Sequence, residues 1–292
     1  MRKSLSRVVP YIGVLLSTLI LFSPPAPAQG WDCVSDRLFY QNGMLRIEGT
    51  LWGPRRPGVF PLLIYNHGSR PGQERQPTFV ARAQCWQLIT GTDLFVFFPE
   101  RRGYGASDGA PYSEEIPQIP WTVEQTNRAI GRLFAEADDV LAGLSHLQSR
   151  GIFDSERVAM IGASLGGTVS ILAASKAPER FSAVVSQAAG VGIGRGQMAL
   201  DMVRDELVRA GRRISSPILI QHAVNDQLVP VAFARQLSSA LASAGKAVRY
   251  DELPAVVQSD GHLIFVLSTS ANRQYWWPQV DAFVRNAWRI QR

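Results

Sequence analysis

The sequence predicts an α/β protein: a doubly wound, mostly parallel sheet of about eight strands, entered through an antiparallel hairpin and carrying no large cap. Three observations lead there. Short apolar runs rich in β-branched residues alternate with helix-periodic segments along most of the chain, the pattern of repeated strand–helix–strand units. One such run, Val158 to Ile161, passes through Gly162-Ala-Ser-Leu-Gly166 directly into an Ala-rich helical pattern, Thr168 to Ala177. Gln41-Asn42-Gly43 separates two apolar or alternating runs, and Asn-Gly in that setting is the strongest short-range hairpin signal.

The chain has 292 residues, 46% hydrophobic and 18% charged, enough for one large domain with a full core. Residues 1–28 stand outside it. Arg2, Lys3 and Arg7 form a basic start, Val8 to Phe22 an apolar run broken by Pro10, and Ala26-Pro27-Ala28 a small-x-small ending. This is the layout of a secretory signal peptide cut before Gln29, and the apolar run is short for a spanning helix. Export to the periplasm or the medium is therefore expected, with residues 29–292 as a single mature domain. No lipobox-like cysteine follows the run. Cleavage removes three basic residues and no acidic one, so the net charge falls from +6 to +3. So small an imbalance gives no reason to expect nucleic acid as a partner or stable membrane association after cleavage. Two cysteines remain, Cys33 and Cys85. In an exported chain an even count suggests an intrachain disulfide, Cys33–Cys85, with two buried thiols as the alternative.

Taken in order, Leu38 to Tyr40 and Met44 to Trp52 form the hairpin, and Gly53-Pro54 closes it. Val59-Phe-Pro-Leu-Leu-Ile-Tyr65 is nearly continuous in apolar character, as a strand covered on both faces must be. Glu74 to Ile89 reads as a helix and Leu94 to Phe98 as another buried strand. A glycine-rich loop, Arg101 to Gly109, and a Pro-punctuated one, Ala110 to Trp121, follow. Thr122 to Arg150 has helical spacing, with Leu133, Ala137, Val140, Leu144 and Leu147 on one side. Beyond the Ala-rich helix come a strand at Phe181 to Ser186, a short helix at Met198 to Ala210 and a strand at Pro217 to His222. A helix at Val231 to Ala244, a last strand at Val248 to Leu253 and a final helix at about Tyr275 to Arg289 complete the chain. The tryptophans of that helix suit core packing.

The turn around Ser164 has the G-x-S-x-G form between strand and helix, where a Cβ two residues to either side would strike neighbouring backbone. It lifts the hydroxyl off the sheet and aims a helix N-terminus at it. Such a hydroxyl needs a base, and the base needs an acid to fix its tautomer. His146 lies inside a helix and His222 in or at the end of a strand, and both read as structural; His67, before Gly68 and directly after a strand, reads as part of the loop architecture. His262 stands in the polar loop Gln258-Ser-Asp-Gly-His262, on the edge where loops after parallel strands gather. Asp226 follows a strand in the same way. Asp260 is too near His262 in sequence, Asp251 lies within a strand, and Asp201 and Asp205 sit on the short helix. The expected catalytic residues are Ser164, Asp226 and His262, in the chain order of α/β-hydrolases. No cofactor is called for, and no His/Cys/Asp cluster has metal-ligand spacing.

Together, His67-Gly68-Ser69, Arg102-Gly103-Tyr104-Gly105, Gly162-Ala-Ser-Leu-Gly-Gly167, Asn225-Asp226 with Val229-Pro230, and Gly261-His262 resemble the motifs of α/β-hydrolases. From about residue 36 to 290 the chain is similar to the single-domain serine esterases and dienelactone-hydrolase-like members. The resemblance implies a Ser-His-Asp triad and an oxyanion hole of backbone N–H groups from Leu165 and Ser69. Dienelactone hydrolases proper have a cysteine where this chain has Ser164, so the resemblance implies ester rather than lactone cleavage. A small-molecule ester is the expected substrate. A serine peptidase of the prolyl-oligopeptidase type, acting on small peptides, and a non-catalytic binding protein on the same fold are the alternatives. The 101–121 loop and the 187–213 segment should wall the pocket, with Arg70, Arg101, Arg102 and Arg195 placed to meet an acidic group or solvent.

Overall fold

Residues 33–54, 57–76, 94–116, 120–265 and 270–290 are described by the computed structural model. The segment 1–28, Cys85 and with it the Cys33–Cys85 bridge lie outside them. The helix expected from Glu74 does not begin there: Glu74–Gln76 form a turn, and the rest of that stretch falls outside the described residues.

Eight strands form one sheet: β1 Cys33–Asn42, β2 Leu45–Pro54, β3 Leu62–Asn66, β4 Phe95–Pro99, β5 Val158–Ala163, β6 Ala183–Gln187, β7 Ile218–Ala223 and β8 Val248–Leu253. Their spatial order is β1-β2-β4-β3-β5-β6-β7-β8. The hairpin β1–β2 and the β2–β4 pair are antiparallel, and every pair from β4 through β8 is parallel. The β3 run starts at Leu62 rather than Val59, because Pro61 has no N–H to give to a ladder.

Alternation along the strands divides the core in two. Leu62, Ile64, Phe97, Val158 and Met160 face one layer with Leu133, Val140 and Val169. Leu63, Tyr65, Val96, Ala159 and Ile161 face the other, against Trp276, Val280 and Trp288. Six helices stand among the described residues: α1 Tyr112–Glu115, α2 Val123–Ser149, α3 Leu165–Lys176, α4 Gln197–Gly211, α5 Val231–Ser243 and α6 Ser270–Ile290. A capping box opens α2, with Gln125 N donating to Thr122 Oγ1 at 3.2 Å and Thr122 N to Gln125 Oε1 at 2.8 Å. Helix α3 is buried from Leu165 to Ser175, which explains its lack of any polar face. It places its N-terminus in the middle of the sheet's C-terminal edge.

Candidate active site

Ser164 occupies the turn between β5 and α3 with φ 55° and ψ −126°, a sparsely populated conformation that costs about 1–3 kcal/mol for a residue with a Cβ. Its surroundings hold it there. A Cβ at Gly162 would lie 2.2 Å from Gly166 O, and one at Gly166 would lie 2.0 Å from Asn66 O, so only glycine lets α3 sit this close to β3 and β5. Ser164 N donates to Gln187 O at 2.8 Å, which ties the turn to β6.

His262 arrives from the 3₁₀ turn Gly261–Phe265. That turn is stitched to the loop after β7. Gly261 N donates to Asn225 O at 3.1 Å, and Asn225 Nδ2 donates to Val256 O and Ser259 O. Asp260 Oδ1 accepts from both Gln227 N and His262 N, at 2.8 and 2.9 Å. The imidazole then spans the gap between the other two expected residues. Nε2 lies 2.9 Å from Ser164 Oγ and Nδ1 lies 2.9 Å from Asp226 Oδ2. Residues 98 and 36 positions away in sequence from His262 thus meet it at hydrogen-bonding distance.

Asp226 is saturated with donors. Its Oδ1 accepts from Leu228 N at 2.9 Å and Val229 N at 2.8 Å. Its Oδ2 takes His262 Nδ1 and also lies 3.0 Å from His222 Nε2. Burial alone would push this carboxyl up, but the hydrogen bonds from His222, His262 and Val229 outweigh it and hold it far below the usual carboxylate range. Asp226 is therefore an anion at neutral pH.

Ser164 opens into a cavity of about 580 Å³ whose walls include Tyr65, Tyr112, Trp121, Val191, Leu228 and Phe265. Both expected wall segments contribute: Tyr112 and Trp121 from one, Gly190, Val191, Gly192, Gly194 and Arg195 from the other. Ser69 and Leu165 also line it. As the first residue of α3, Leu165 has an N–H without an intrahelical acceptor.

The other histidines stand in the elements expected for them: His146 inside α2, His222 in β7 and His67 directly after β3. His146 stacks near Tyr40, with ring centroids 6.1 Å apart. His67 is buried, and its Nδ1–H donates to Gly68 O at 2.7 Å. Burial first, then the charges of Arg101 and Arg70, push its pKa well below 6.5, so its ring is neutral beside Ser164.

The arginines divide differently from the expectation. Arg70 and Arg195 line the cavity, but Arg101 and Arg102 do not. Arg101 is fully buried, with Nε donating to Glu136 Oε2 at 2.8 Å and Nη2 to His67 O at 3.0 Å. Arg102 grips Asp139 through Nε and Nη2 at 2.9 and 2.8 Å. Both belong to the scaffold because α2 presents buried carboxylates to them. The contact of His222 with Asp226 was also missed. Its one sequence signal is the four-residue spacing across the end of β7.

An eight-stranded sheet of this order, with a strained serine at the central strand-to-helix turn, defines the α/β-hydrolases, and the chain belongs to that superfamily. Residues 134–195 match the prolyl oligopeptidase family. The α/β hydrolase domain-containing protein WAV2 of Arabidopsis thaliana is 26% identical over 62% of this chain, and the match spans 58% of that protein. Among solved structures, the acylaminoacyl peptidase of Pyrococcus horikoshii superposes with a TM-score of 0.63 at 17% identity, over 87% of this chain and 41% of its own. A Klebsiella pneumoniae protein provisionally assigned as a dienelactone hydrolase gives a TM-score of 0.59 at 15% identity, over 87% of this chain and 98% of its own. At such identities the structural likeness speaks for the fold.

Proposed function

We propose that this protein is an exported serine hydrolase that cleaves carboxylic esters through an acyl-enzyme. One observation carries the reading: Ser164, His262 and Asp226 form an unbroken chain of 2.9 Å contacts, and Ser164 and His262 line a largely apolar cavity. In the proposed reaction His262 Nε2 takes the Ser164 proton as Oγ attacks the ester carbonyl carbon. Charge gathers on the carbonyl oxygen, and the N–H groups of Leu165 and Ser69 receive it. Removing a preorganised donor of this kind costs about 3–4 kcal/mol in barrier. The tetrahedral intermediate collapses, the C–O bond to the alcohol breaks, and His262 returns its proton to the leaving oxygen. Water, deprotonated by the same imidazole, then attacks the acyl carbon, the acyl C–Oγ bond breaks, and His262 passes that proton to Ser164 Oγ as the acid leaves. Asp226, anionic throughout, keeps the His262 proton on Nδ1 and stabilises the imidazolium.

Cavity chemistry supports an ester over a peptide. A free peptide N-terminus is an ammonium that calls for a carboxylate partner, whereas the described lining residues include two arginines and no Asp or Glu. Small-peptide hydrolysis is the second reading, favoured by the prolyl oligopeptidase match of residues 134–195. Purified enzyme assayed on p-nitrophenyl esters of increasing chain length and on short peptide p-nitroanilides separates the two. Ester turnover abolished by Ser164→Ala is expected; amide turnover above ester turnover would transfer the assignment to a peptidase, and unchanged turnover in Ser164→Ala would end both.

Export is part of the proposal, supported by the basic, apolar and small-residue stretches of residues 1–28. Amino-terminal sequencing of protein recovered outside the cytoplasm should begin at Gln29; a start at Met1 would contradict cleavage. In the same material, an intact mass that rises on reduction is expected for a Cys33–Cys85 bridge, and no change would refute it.

A further inference from the structure

His222 has no part in the chemistry so far, yet it is fully buried against the acid. Its Nε2 lies 2.8 Å from Val229 O and 3.0 Å from Asp226 Oδ2. A carbonyl oxygen and a carboxylate oxygen can only accept, so the Nε2 of His222 carries a proton and shares it between them. The oxygen it reaches on Asp226 is the one that accepts from His262 Nδ1. Two imidazoles therefore compete for one carboxylate oxygen, while two backbone amides occupy the other.

We propose that His222 is a positioning residue of this site: through Nε2–H it fixes the Asp226 carboxylate and limits how strongly Oδ2 can stabilise the His262 imidazolium. This rests on the hydrolase reading above. The geometry accounts for both halves. Val229 N donates to Asp226 while Val229 O accepts from His222, so the acid, the histidine and the turn between them close into one ring of hydrogen bonds and the carboxylate has no freedom to rotate. Each donor on Oδ2 also disperses the negative charge that His262 meets. Losing the His222 donor leaves a stronger acceptor, which favours protonated His262 and moves the acidic limb of the pH–rate profile to higher pH.

The ionisable groups around His222 are few. Asp226 faces it from the loop, and His262 lies beyond Asp226. Glu252 is its register partner on β8 and is held by Arg235 and Tyr250. Asp251, engaged by Arg249, is one register step away beside Gln221. None of these changes between the variants below.

The test compares wild type, His222→Phe and His222→Gln in the kcat/KM pH profile on a p-nitrophenyl ester, with melting curves confirming the fold. His222→Phe keeps the volume and loses the donor. The expected result is about a tenfold loss of kcat/KM at neutral pH, from one hydrogen bond to a charged group, and an acidic limb shifted upward by about half a unit or more. His222→Gln keeps an N–H and should restore the wild-type limb. A folded His222→Phe variant with an unshifted limb would reduce His222 to packing. Nitrogen-15 spectra of the wild-type protein give a second test independent of any variant: Nε2 of His222 should be protonated and Nδ1 bare, and the opposite tautomer would overturn the proposal. Labelling of wild-type Ser164 by a fluorophosphonate separates the two levels. With Ser164 labelled and the limb unmoved, only the role of His222 falls; with Ser164 unlabelled, the hydrolase reading falls and takes this one with it.

Discussion

The two loops that flank Ser164 are held by opposite means. On the β3 side, the His67-Gly68-Ser69 loop is anchored by buried ion pairs. Arg101 binds His67 O and Glu136, Glu136 binds Arg132 at 3.0 Å, and Arg132 reaches Glu115, Arg102 O and Ala110 O. On the β7 side, the Asp226 loop is anchored by N–H groups, two of them backbone amides, that converge on one carboxylate. A buried ion pair that loses one member strands the other in a low-dielectric interior, so the first loop is expensive to disturb for the fold itself. A carboxylate that loses one donor of four stays folded and changes its basicity. Damage on the β3 side should therefore be read in stability, and damage on the β7 side in rate and pH dependence.

Asp226→Asn should show the largest effect. An amide there favours the wrong His262 tautomer, and kcat should drop roughly 10⁴-fold in a protein that still unfolds cooperatively; a loss below tenfold would remove Asp226 from the proposed triad. Arg101→Met sharpens the contrast. It leaves Glu136 and His67 O without their guanidinium, and denaturant titration should report a loss of about 3–5 kcal/mol. A loss under 1 kcal/mol would mean that the buried pair does not anchor the loop.

His67 provides a pH signature for the β3 side. Its folded pKa is depressed by burial and by the Arg101 and Arg70 charges, so the unfolded chain binds the proton more readily. Its contribution to stability is complete above the unfolded value of about 6.5 and is lost as pH falls from there toward the folded value, with a slope of up to about 1.4 kcal/mol per pH unit. Stability measured from pH 7.5 to 5 should fall accordingly in wild type and less steeply in His67→Gln. Equal slopes would place the acid sensitivity elsewhere. The smallest effect belongs to the α2 cap. Thr122→Ala removes a capping bond at the start of the helix that carries Glu136, and should cost about 1 kcal/mol in stability with kcat unchanged within twofold.

How far the sequence could be read follows from the same physics. The strands were legible because each is a short apolar run between turn residues, and Ser164, Asp226 and His262 because parallel strands deliver their following loops to one edge. Local chemistry marked each of them. The buried ion pairs were not legible, since Arg101 and Glu136 are 35 positions apart and nothing in Arg101-Arg-Gly-Tyr tells whether a loop arginine turns toward the pocket or under it. His222 escaped for a related reason. It lies within the strand expected at 217–222, but a period-two reading gives its face and not the carboxylate waiting around the next turn. The expected β3 run begins three residues early because hydrophobicity continues through Pro61 while the ladder does not.

The most direct test of the central claim is covalent labelling of Ser164. Wild-type protein incubated with a fluorophosphonate probe should gain a single adduct that peptide mapping places on Ser164. The adduct should be absent from Ser164→Ala and form far more slowly in His262→Ala. A probe that leaves wild type unmodified, or that labels His262→Ala at the wild-type rate, would contradict an imidazole-activated serine at this turn.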